Sequence, residues 1–229
     1  MPDRSLVSPA VLHIGLDVPY EPFGLMQDGQ VSGMLVELVG LLLTDLGLEH
    51  RFVPMPLADT EPALAEGRVD ALAYKGITPA RLASIDFSEP IMISGGATFT
   101  RPGLLPSDDL RQFDGMRVVT TRHGPLWRHL QIEHPALQLL PAEHYQQALE
   151  MVLRGEADLA ALNMHAGRAI AQRLFPGQLG LPQRPYMPLR TGFALRRGSH
   201  PELLLRFNAA LAAARADGRW QTVHDRWVR

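Results

Sequence analysis

The sequence predicts an α/β protein whose sheet is largely parallel. Short apolar runs of strand length alternate with helical stretches along most of the 229 residues, and this alternation is typical of βαβ units. Glycine follows several predicted helices, as at Gly47, Gly67 and Gly155, where a left-handed residue commonly ends a helix. The length suits one large domain or two small ones, and no repeat of solenoid period occurs.

Composition excludes several classes of function. The net charge is −2 and no basic run occurs, which disfavours nucleic acid as a partner. The chain has no cysteine, which excludes disulfides and thiol chemistry. The most apolar stretch, 34–48, is interrupted by Glu37 and Asp45, so no run reaches membrane-spanning length. Because Met1-Pro2-Asp3-Arg4 does not begin a secretion signal, we expect a cytoplasmic protein or a mature form without its leader.

The first part of the chain is predicted to begin with a strand and a loop that presents Asp17 and Tyr20. Asp28-Gly29 predicts a turn. A hydroxyl cap and an acid predict a helix that begins at Thr60-Glu61-Pro62. The predicted strands are 11–16, 50–54, 69–74 and 91–100, and a further helix spans 34–46.

The second part repeats the pattern from Met116 onward. Arg122-His123-Gly124 predicts a turn before a helix that begins at Pro125. The predicted strands are 118–121, 158–162 and 191–196, and the further helices are 142–153, 166–174, 201–216 and 220–227.

The stretch after strand 69–74 predicts a site for a small anion. Thr78 can cap a helix and Pro79 suits its first position, so that free backbone amides would lie beside Arg81 and Lys75. Ligands of open α/β sheets lie at the carboxyl ends of strands. Lys75 is the only lysine among 22 basic residues, which hints at a need for a point charge. The alternative is an ordinary helix start with a solvated arginine.

Other chemistry finds little support in the sequence. No GxGxxG, P-loop, HExxH, GxSxG or calcium-loop pattern occurs, so we expect no cofactor and no catalytic residue. His129 and His134 share no metal-type spacing with a third ligand, so no metal is expected.

The order of motifs resembles the family 3 extracellular solute-binding proteins, which have the amino-acid-binding, type II periplasmic fold. The resemblance rests on VLHIGLDVPYEPFG, GMLVELVGLLLTDLGLEHRFVPMP, ALAEGRVDALAYKGITPARLASIDFSEP, LRQFDGMRVVTT, HYQQALEMVLRGEADLAAL and TGFALRRGSHPELLLRFNAALAAARADGRWQTVHDRW. These segments cover nearly the whole chain. The ITP-x-R and DFSEP block and the ADG-x-W segment are the most specific.

This resemblance implies a two-lobed Venus-flytrap architecture with a two-strand hinge. One lobe would comprise 1–96 with 191–229, and the other 97–190, closing on a ligand between them. Arg81 would clamp the ligand's α-carboxylate. Tyr20 would form an aromatic wall, with Asp17 nearby and Leu57 on the rim.

Departures from the family pattern affect the expected ligand. Tyr74 stands where the family has a small residue, and Lys75 is unusual at its position. Gly76 takes the place of a hydroxyl residue. Arg122 lies in the loop that replaces a glycine-threonine loop, and Asn163 takes the place of the acid that pairs with an amino acid's ammonium. We therefore expect a carboxylate without an α-amino group. The predicted site residues are Arg81, Tyr20, Asp17, Lys75, Gly76, Tyr74, Thr78, Arg122 and Asn163.

Three functions remain open. The first is capture of a small carboxylate or amino acid for an ABC importer, with a membrane permease as partner. The second is ligand sensing as the extracellular domain of a sensor kinase. The third is an enzyme on the same fold, such as a dehydratase, which would need a proton donor. The first two place the protein in the periplasm or outside the cell.

Overall fold

The computed structural model describes residues 11–122 and 125–228. The chain divides into two compact units: unit 1 is drawn from Met1–Met92 and Arg190–Arg229, and unit 2 from Ile93–Leu189. The predicted turn at His123-Gly124 and the start of the chain before Val11 lie outside the described residues.

Strands and helices alternate through the described residues, which confirms the predicted α/β class. The strands are β1 (Leu12–Asp17), β2 (Leu25–Gln27), β3 (Gln30–Ser32), β4 (His50–Met55), β5 (Ala71–Gly76), β6 (Ile85–Phe87), β7 (Met92–Thr100), β8 (Arg117–Thr121), β9 (Gln138–Ala142), β10 (Leu159–Asn163) and β11 (Met187–Arg196). The helices are α1 (Met34–Asp45), α2 (Leu57–Glu66), α3 (Pro125–Glu133), α4 (Tyr145–Leu153), α5 (Met164–Leu174), α6 (Pro201–Ala216) and α7 (Arg219–Val228).

Unit 1 is built on a sheet in which β1 pairs in parallel with both β4 and β5. The part of β11 in this unit runs antiparallel to β5 and to β6. Helix α1 buries Leu38, Leu42 and the rest of an apolar face at the three- and four-residue spacing of a core helix. The rings of Phe193 and Phe207 stack at 4.5 Å and join β11 to α6. This packing fixes the carboxyl ends of β1 and β5 side by side.

In unit 2, β8 pairs in parallel with both β10 and β9. Strand β7 runs antiparallel to β10. Phe99, Leu149 and Leu162 lie in one buried cluster of this unit, and Phe113 and Leu130 lie in another. The end of β10 and the start of α5 meet at Asn163.

Two helix starts in unit 1 were predicted wrongly. Helix α2 begins at Leu57, after Pro56 in extended conformation, so Thr60 lies inside the helix and Pro62 is accommodated within it. No α-helix begins at Pro79: the chain makes only a three-residue 3-10 turn, Arg81–Ala83.

Unit 2 also departs from the prediction at one helix. Residues 138–142 form β9, and α4 begins only at Tyr145. His144 caps that helix, because its Nδ1 accepts a hydrogen bond from the Gln147 amide at 3.2 Å.

Within residues 11–122 and 125–228, no helix is both long enough and apolar enough to cross a membrane. This agrees with the interrupted apolar stretch in the sequence.

Gly33 is a position where the fold depends directly on glycine. Its φ of 132° is unfavourable for residues with a side chain, and an added Cβ would lie 2.4 Å from the Phe23 carbonyl oxygen. Gly47 also has a positive φ, 67°, but an added Cβ there would meet nothing within 4 Å.

We expect Gly33→Ala to lower the free energy of unfolding by about 3 kcal/mol or more and Gly47→Ala by about 1 kcal/mol. Urea unfolding followed by circular dichroism measures both, and equal losses would contradict the steric explanation.

Candidate functional site

Lys75 is a buried cation at the end of β5. Its side chain is 3% exposed, and its ammonium donates a hydrogen bond to the Thr60 hydroxyl oxygen. The Thr60 hydroxyl in turn donates to the Leu57 carbonyl at 2.9 Å, which leaves its oxygen lone pairs for the ammonium. A carboxylate oxygen of Glu61 lies 3.9 Å from the Lys75 Nζ. Lys75 is therefore held beneath α2 and is not presented to solvent.

Arg81 is anchored on two sides within unit 1. Its Nη1 donates to the Gly76 carbonyl oxygen at 2.9 Å. Its Nε and Nη2 both contact one Glu61 oxygen, Oε1, at 3.0 and 2.9 Å. The Arg81 side chain is 27% exposed and that of Glu61 is 42% exposed. The guanidinium is thus already engaged with a carboxylate, and the alternative of a solvated arginine does not hold.

Asp17 ends β1, beside the end of β5, and is buried. Burial raises the pKa of its carboxyl, against the opposing effect of the positive charges on Lys75 and Arg81. Burial likewise lowers the pKa of the Lys75 ammonium, and the charge of Asp17 partly restores it. We call Asp17, Glu61, Lys75 and Arg81 the charge quartet. It combines two acids and two bases, so its formal charges balance.

The aromatic residues of the predicted site pack behind Asp17. The Tyr74 hydroxyl donates to the backbone carbonyl of Asp17 at 2.8 Å, and burial raises the pKa of Tyr74 above its ordinary range. An added Cβ at Gly24 would lie 2.1 Å from that hydroxyl oxygen, so Gly24 makes room for a large residue on β5. The Tyr20 ring lies 4.8 Å from Phe23 and 6.4 Å from Tyr74, measured between ring centroids.

Thr78 does not form the predicted helix cap. Its carbonyl oxygen accepts hydrogen bonds from the Arg81 and Leu82 amides at 3.0 and 3.1 Å. These amides were expected to be free for an anion, and the 3-10 turn pairs them instead. The expectation that these two amides are free is therefore wrong, whereas ligand contacts at Thr78 and Arg81 stay predictions.

Asn163 in unit 2 caps α5. Its Oδ1 accepts hydrogen bonds from the His165 and Ala166 amides at 3.1 and 3.2 Å and from the Ser94 hydroxyl at 3.1 Å. An amide at an N-cap satisfies helix donors in the same way as a carboxylate would, without carrying the charge. Asparagine therefore preserves the start of the helix while making the position neutral.

Ser94 and His165 extend this cluster and were missed by sequence reasoning. The Ser94 Oγ lies 3.0 Å from Nδ1 of His165, and both residues are buried. Because Asn163 Oδ1 can only accept, the Ser94 hydroxyl donates to it and accepts from His165 Nδ1–H. The available signal was an asparagine before a helix, which predicts the cap but not its partners.

The remaining predicted residue, Arg122, lies in an exposed turn after β8, where its backbone amide donates to the Ala142 carbonyl at 3.2 Å.

Unit 1 brings together Asp17, Lys75, Gly76 and Arg81, with Tyr74 and Tyr20 behind them. Sequence reasoning missed Glu61 as a site residue because it placed this acid in the first turn of a helix. In the part of the chain that the structure describes, no group of three His, Cys, Asp or Glu residues could hold a metal ion.

Comparison with known proteins supports the fold. The model of the family described as bacterial extracellular solute-binding proteins, family 3, matches residues 12–229. The L-arginine-binding protein of Pseudomonas aeruginosa is 26% identical over 94% of this chain and 87% of its own. An ancestral cationic amino acid solute-binding protein of known structure is 26% identical, with a TM-score of 0.79 over 96% of both chains.

A second kind of relative is a sensor. The virulence sensor protein BvgS of Bordetella pertussis is 26% identical over 99% of this chain. The match covers only 18% of BvgS itself, so the similarity concerns one part of that larger protein.

The charge quartet makes stability depend on pH through Asp17. Its raised pKa means that the folded state holds a proton that the unfolded state releases, so this group's contribution to stability falls as pH rises through that window. Lys75→Met removes a charge that lowers the pKa of Asp17. We therefore expect the stability deficit of this variant to grow as pH rises above the ordinary aspartate pKa of about 3.9, by up to ~1.4 kcal/mol for each unit of additional shift.

Urea unfolding at several pH values in that range measures the effect. The matched control repeats Lys75→Met in an Asp17→Asn background, where the part of the pH dependence that comes from Asp17 should disappear. A pH-independent cost in both backgrounds would show that Lys75 and Asp17 do not interact.

Proposed function

Because the chain belongs to family 3 of the bacterial extracellular solute-binding proteins, we propose that it binds a small carboxylate-bearing metabolite, an amino acid or a related organic acid. In this proposal Arg81 holds the ligand carboxylate. Tyr20 and Asp17 lie close enough in unit 1 to contact the remainder of the ligand.

The observation that carries this proposal is the contact between Arg81 and Glu61. Two guanidinium nitrogens meet a carboxylate oxygen at 2.9 and 3.0 Å, which is the range of charge-assisted hydrogen bonds. The Gly76 carbonyl fixes the opposite side of the guanidinium. Arg81 is thus oriented for a carboxylate before any ligand arrives, and this lowers the entropic cost of binding.

We propose that the protein delivers its ligand to an ABC importer, with a membrane permease as partner, and that it acts outside the cytoplasm. Relatives named as amino-acid-binding proteins over most of their length support this role. The alternative is a sensor-kinase domain, which the match to BvgS favours. Ligand uptake by cells with and without the gene tests the first role, and ligand-dependent kinase phosphorylation tests the second.

We propose binding without turnover. A dehydratase needs a proton donor, and Asp17 has the raised pKa of such a group. That pKa is accounted for by burial within the charge quartet, however, and the relatives compared above are named for binding or sensing. Nuclear magnetic resonance of a bound carboxylate should show it unchanged after prolonged incubation, and conversion to a new compound would contradict this proposal.

Arg81→Ala should strongly weaken carboxylate binding. Removing one partner of a partly buried charged pair costs about 2 kcal/mol or more, which corresponds to roughly thirtyfold in affinity. Calorimetry with a carboxylate that raises the melting temperature of the parent measures the loss. Arg68→Ala is the matched control, because Arg68 is an exposed arginine that pairs with Glu66 near the end of α2. Affinity within a few-fold of the parent would refute the role of Arg81.

Carboxylates without an α-amino group should bind better than standard amino acids. Asn163 offers an ammonium no negative charge, and its Oδ1 is already engaged by three donors. Burying an unpaired ammonium costs several kcal/mol. Lys75 does not support this preference as the sequence suggested, because its charge is balanced within the quartet.

Competition binding compares L-arginine with 5-guanidinopentanoate and L-glutamine with 4-carbamoylbutanoate. We expect the second compound of each pair to bind more tightly. Micromolar binding of an amino acid whose des-amino analogue fails would refute this interpretation of Asn163.

A further inference from the structure

Glu61 occupies the donors that a ligand carboxylate would use. We propose that Glu61 is an internal competitor for Arg81, and that a ligand carboxylate binds by displacing it. The inference rests on the proposed role of Arg81 and adds a residue that determines affinity and ligand charge at the same site.

The first step is the identity of the donors. Arg81 directs Nη1 to the Gly76 carbonyl, which belongs to the backbone of β5 and is fixed. Its Nε and Nη2 face Glu61, and these two form one edge of the guanidinium fork. A carboxylate that binds this edge in bidentate fashion needs the same two nitrogens. Glu61 and the ligand therefore exclude each other there.

The second step is that Glu61 can leave. Its side chain is 42% exposed, whereas Asp17, the other acid of the quartet, is buried. The Lys75 ammonium lies 3.9 Å from the Glu61 oxygen that contacts Arg81. A small rotation of the Glu61 side chain would exchange the guanidinium for the ammonium. Glu61 would then keep a cationic partner after displacement.

The third step is charge balance. The quartet contains two acids and two bases, so a ligand carboxylate adds an uncompensated negative charge. Glu61→Gln removes one negative charge and leaves a neutral side chain of similar size. Such a site would accept an anion without repulsion from Glu61. The geometry and the charge count thus agree that Glu61 weakens the binding of simple carboxylates.

The competitor also explains how the site could discriminate among acids. A ligand that offers only a carboxylate replaces one ion pair at Arg81 by another and gains little. A ligand that makes further contacts to unit 1 gains the free energy of those contacts. Glu61 therefore increases the binding free energy that a ligand's other groups must supply. The site would in this way select among acids by competition.

The experiment uses sodium acetate, because it is a carboxylate with no other recognition group. The Nε–H resonance of Arg81 is followed by nuclear magnetic resonance in the full chain, with sodium chloride keeping the ionic strength constant. We expect half-saturation at an acetate concentration about threefold to tenfold lower in Glu61→Gln than in the parent. Glu61→Ala, which also removes the competing acceptor, should shift it at least as far.

Glu66→Gln is the matched control. It makes the same substitution in the same helix, but Glu66 pairs with exposed Arg68, so the acetate response of Arg81 should equal that of the parent. Circular dichroism confirms that each variant is folded before titration.

The outcomes separate the two proposals. Equal half-saturation in the parent and both Glu61 variants overturns the competition while leaving Arg81 as the carboxylate site. Weaker acetate binding in Glu61→Gln also overturns it, because Glu61 would then be a positioning residue for Arg81. No response of Arg81 to acetate in any variant overturns the proposed role of Arg81 itself.

Discussion

Much of unit 1 depends on the burial of one ammonium. Moving the charge of Lys75 out of water costs several kcal/mol unless partners compensate it. Thr60 and Glu61 provide those partners from α2, and Asp17 provides a third from the end of β1. The register of α2 and the ends of two parallel strands are thereby tied to one side chain. Arg81 joins the same group through Glu61.

An aromatic residue, Tyr74, constrains the backbone of Asp17. Tyr74 fills the space that the missing side chain of Gly24 leaves and holds the Asp17 backbone through its hydroxyl. Asp17 is thus fixed by a hydrogen bond to its carbonyl on one side and by the charges of Lys75 and Arg81 on the other. Of the two acids, Asp17 is buried, whereas the Glu61 side chain is 42% exposed and has more room to change its conformation.

The sequence predicted β1, β4, β5, β7, β8, β10 and part of β11 because these depend on local patterns, whereas the short strands β2, β3 and β6 and the strand β9 were not predicted. The apolar run of β5, the turn at Asp28-Gly29 and the long helix α6 follow from hydrophobic periodicity and glycine placement. The start of α2 was missed because Thr60 has the chemistry of a cap, yet its hydroxyl serves Leu57 and Lys75. Only tertiary structure shows that a threonine within a helix is needed by a lysine on a strand.

Glu61 could not have been assigned from sequence for a related reason. Its role depends on the side from which α2 approaches β5, and the hydrophobic pattern of the helix does not specify which residue of β5 or of the following turn Glu61 will meet. Arg81 stays a predicted carboxylate-binding residue without the helix at Pro79, because a guanidinium needs only a fixed anchor, and the Gly76 carbonyl provides one.

The two units contribute different kinds of polar chemistry. Unit 1 supplies formal charges in balanced numbers, whereas the cluster at Asn163 uses Ser94 and His165 in a hydrogen-bonded chain whose direction is fixed by an acceptor-only amide oxygen. A neutral amide can distinguish donors from acceptors but provides little attraction for a cation. In the proposed function, selection by ligand charge rests on unit 1, where an added carboxylate would have to be accommodated by a quartet that is already neutral. Within that quartet, Glu61 is the more exposed acid and lies 3.9 Å from the Lys75 ammonium. In our proposal it is therefore the acid that a ligand carboxylate displaces.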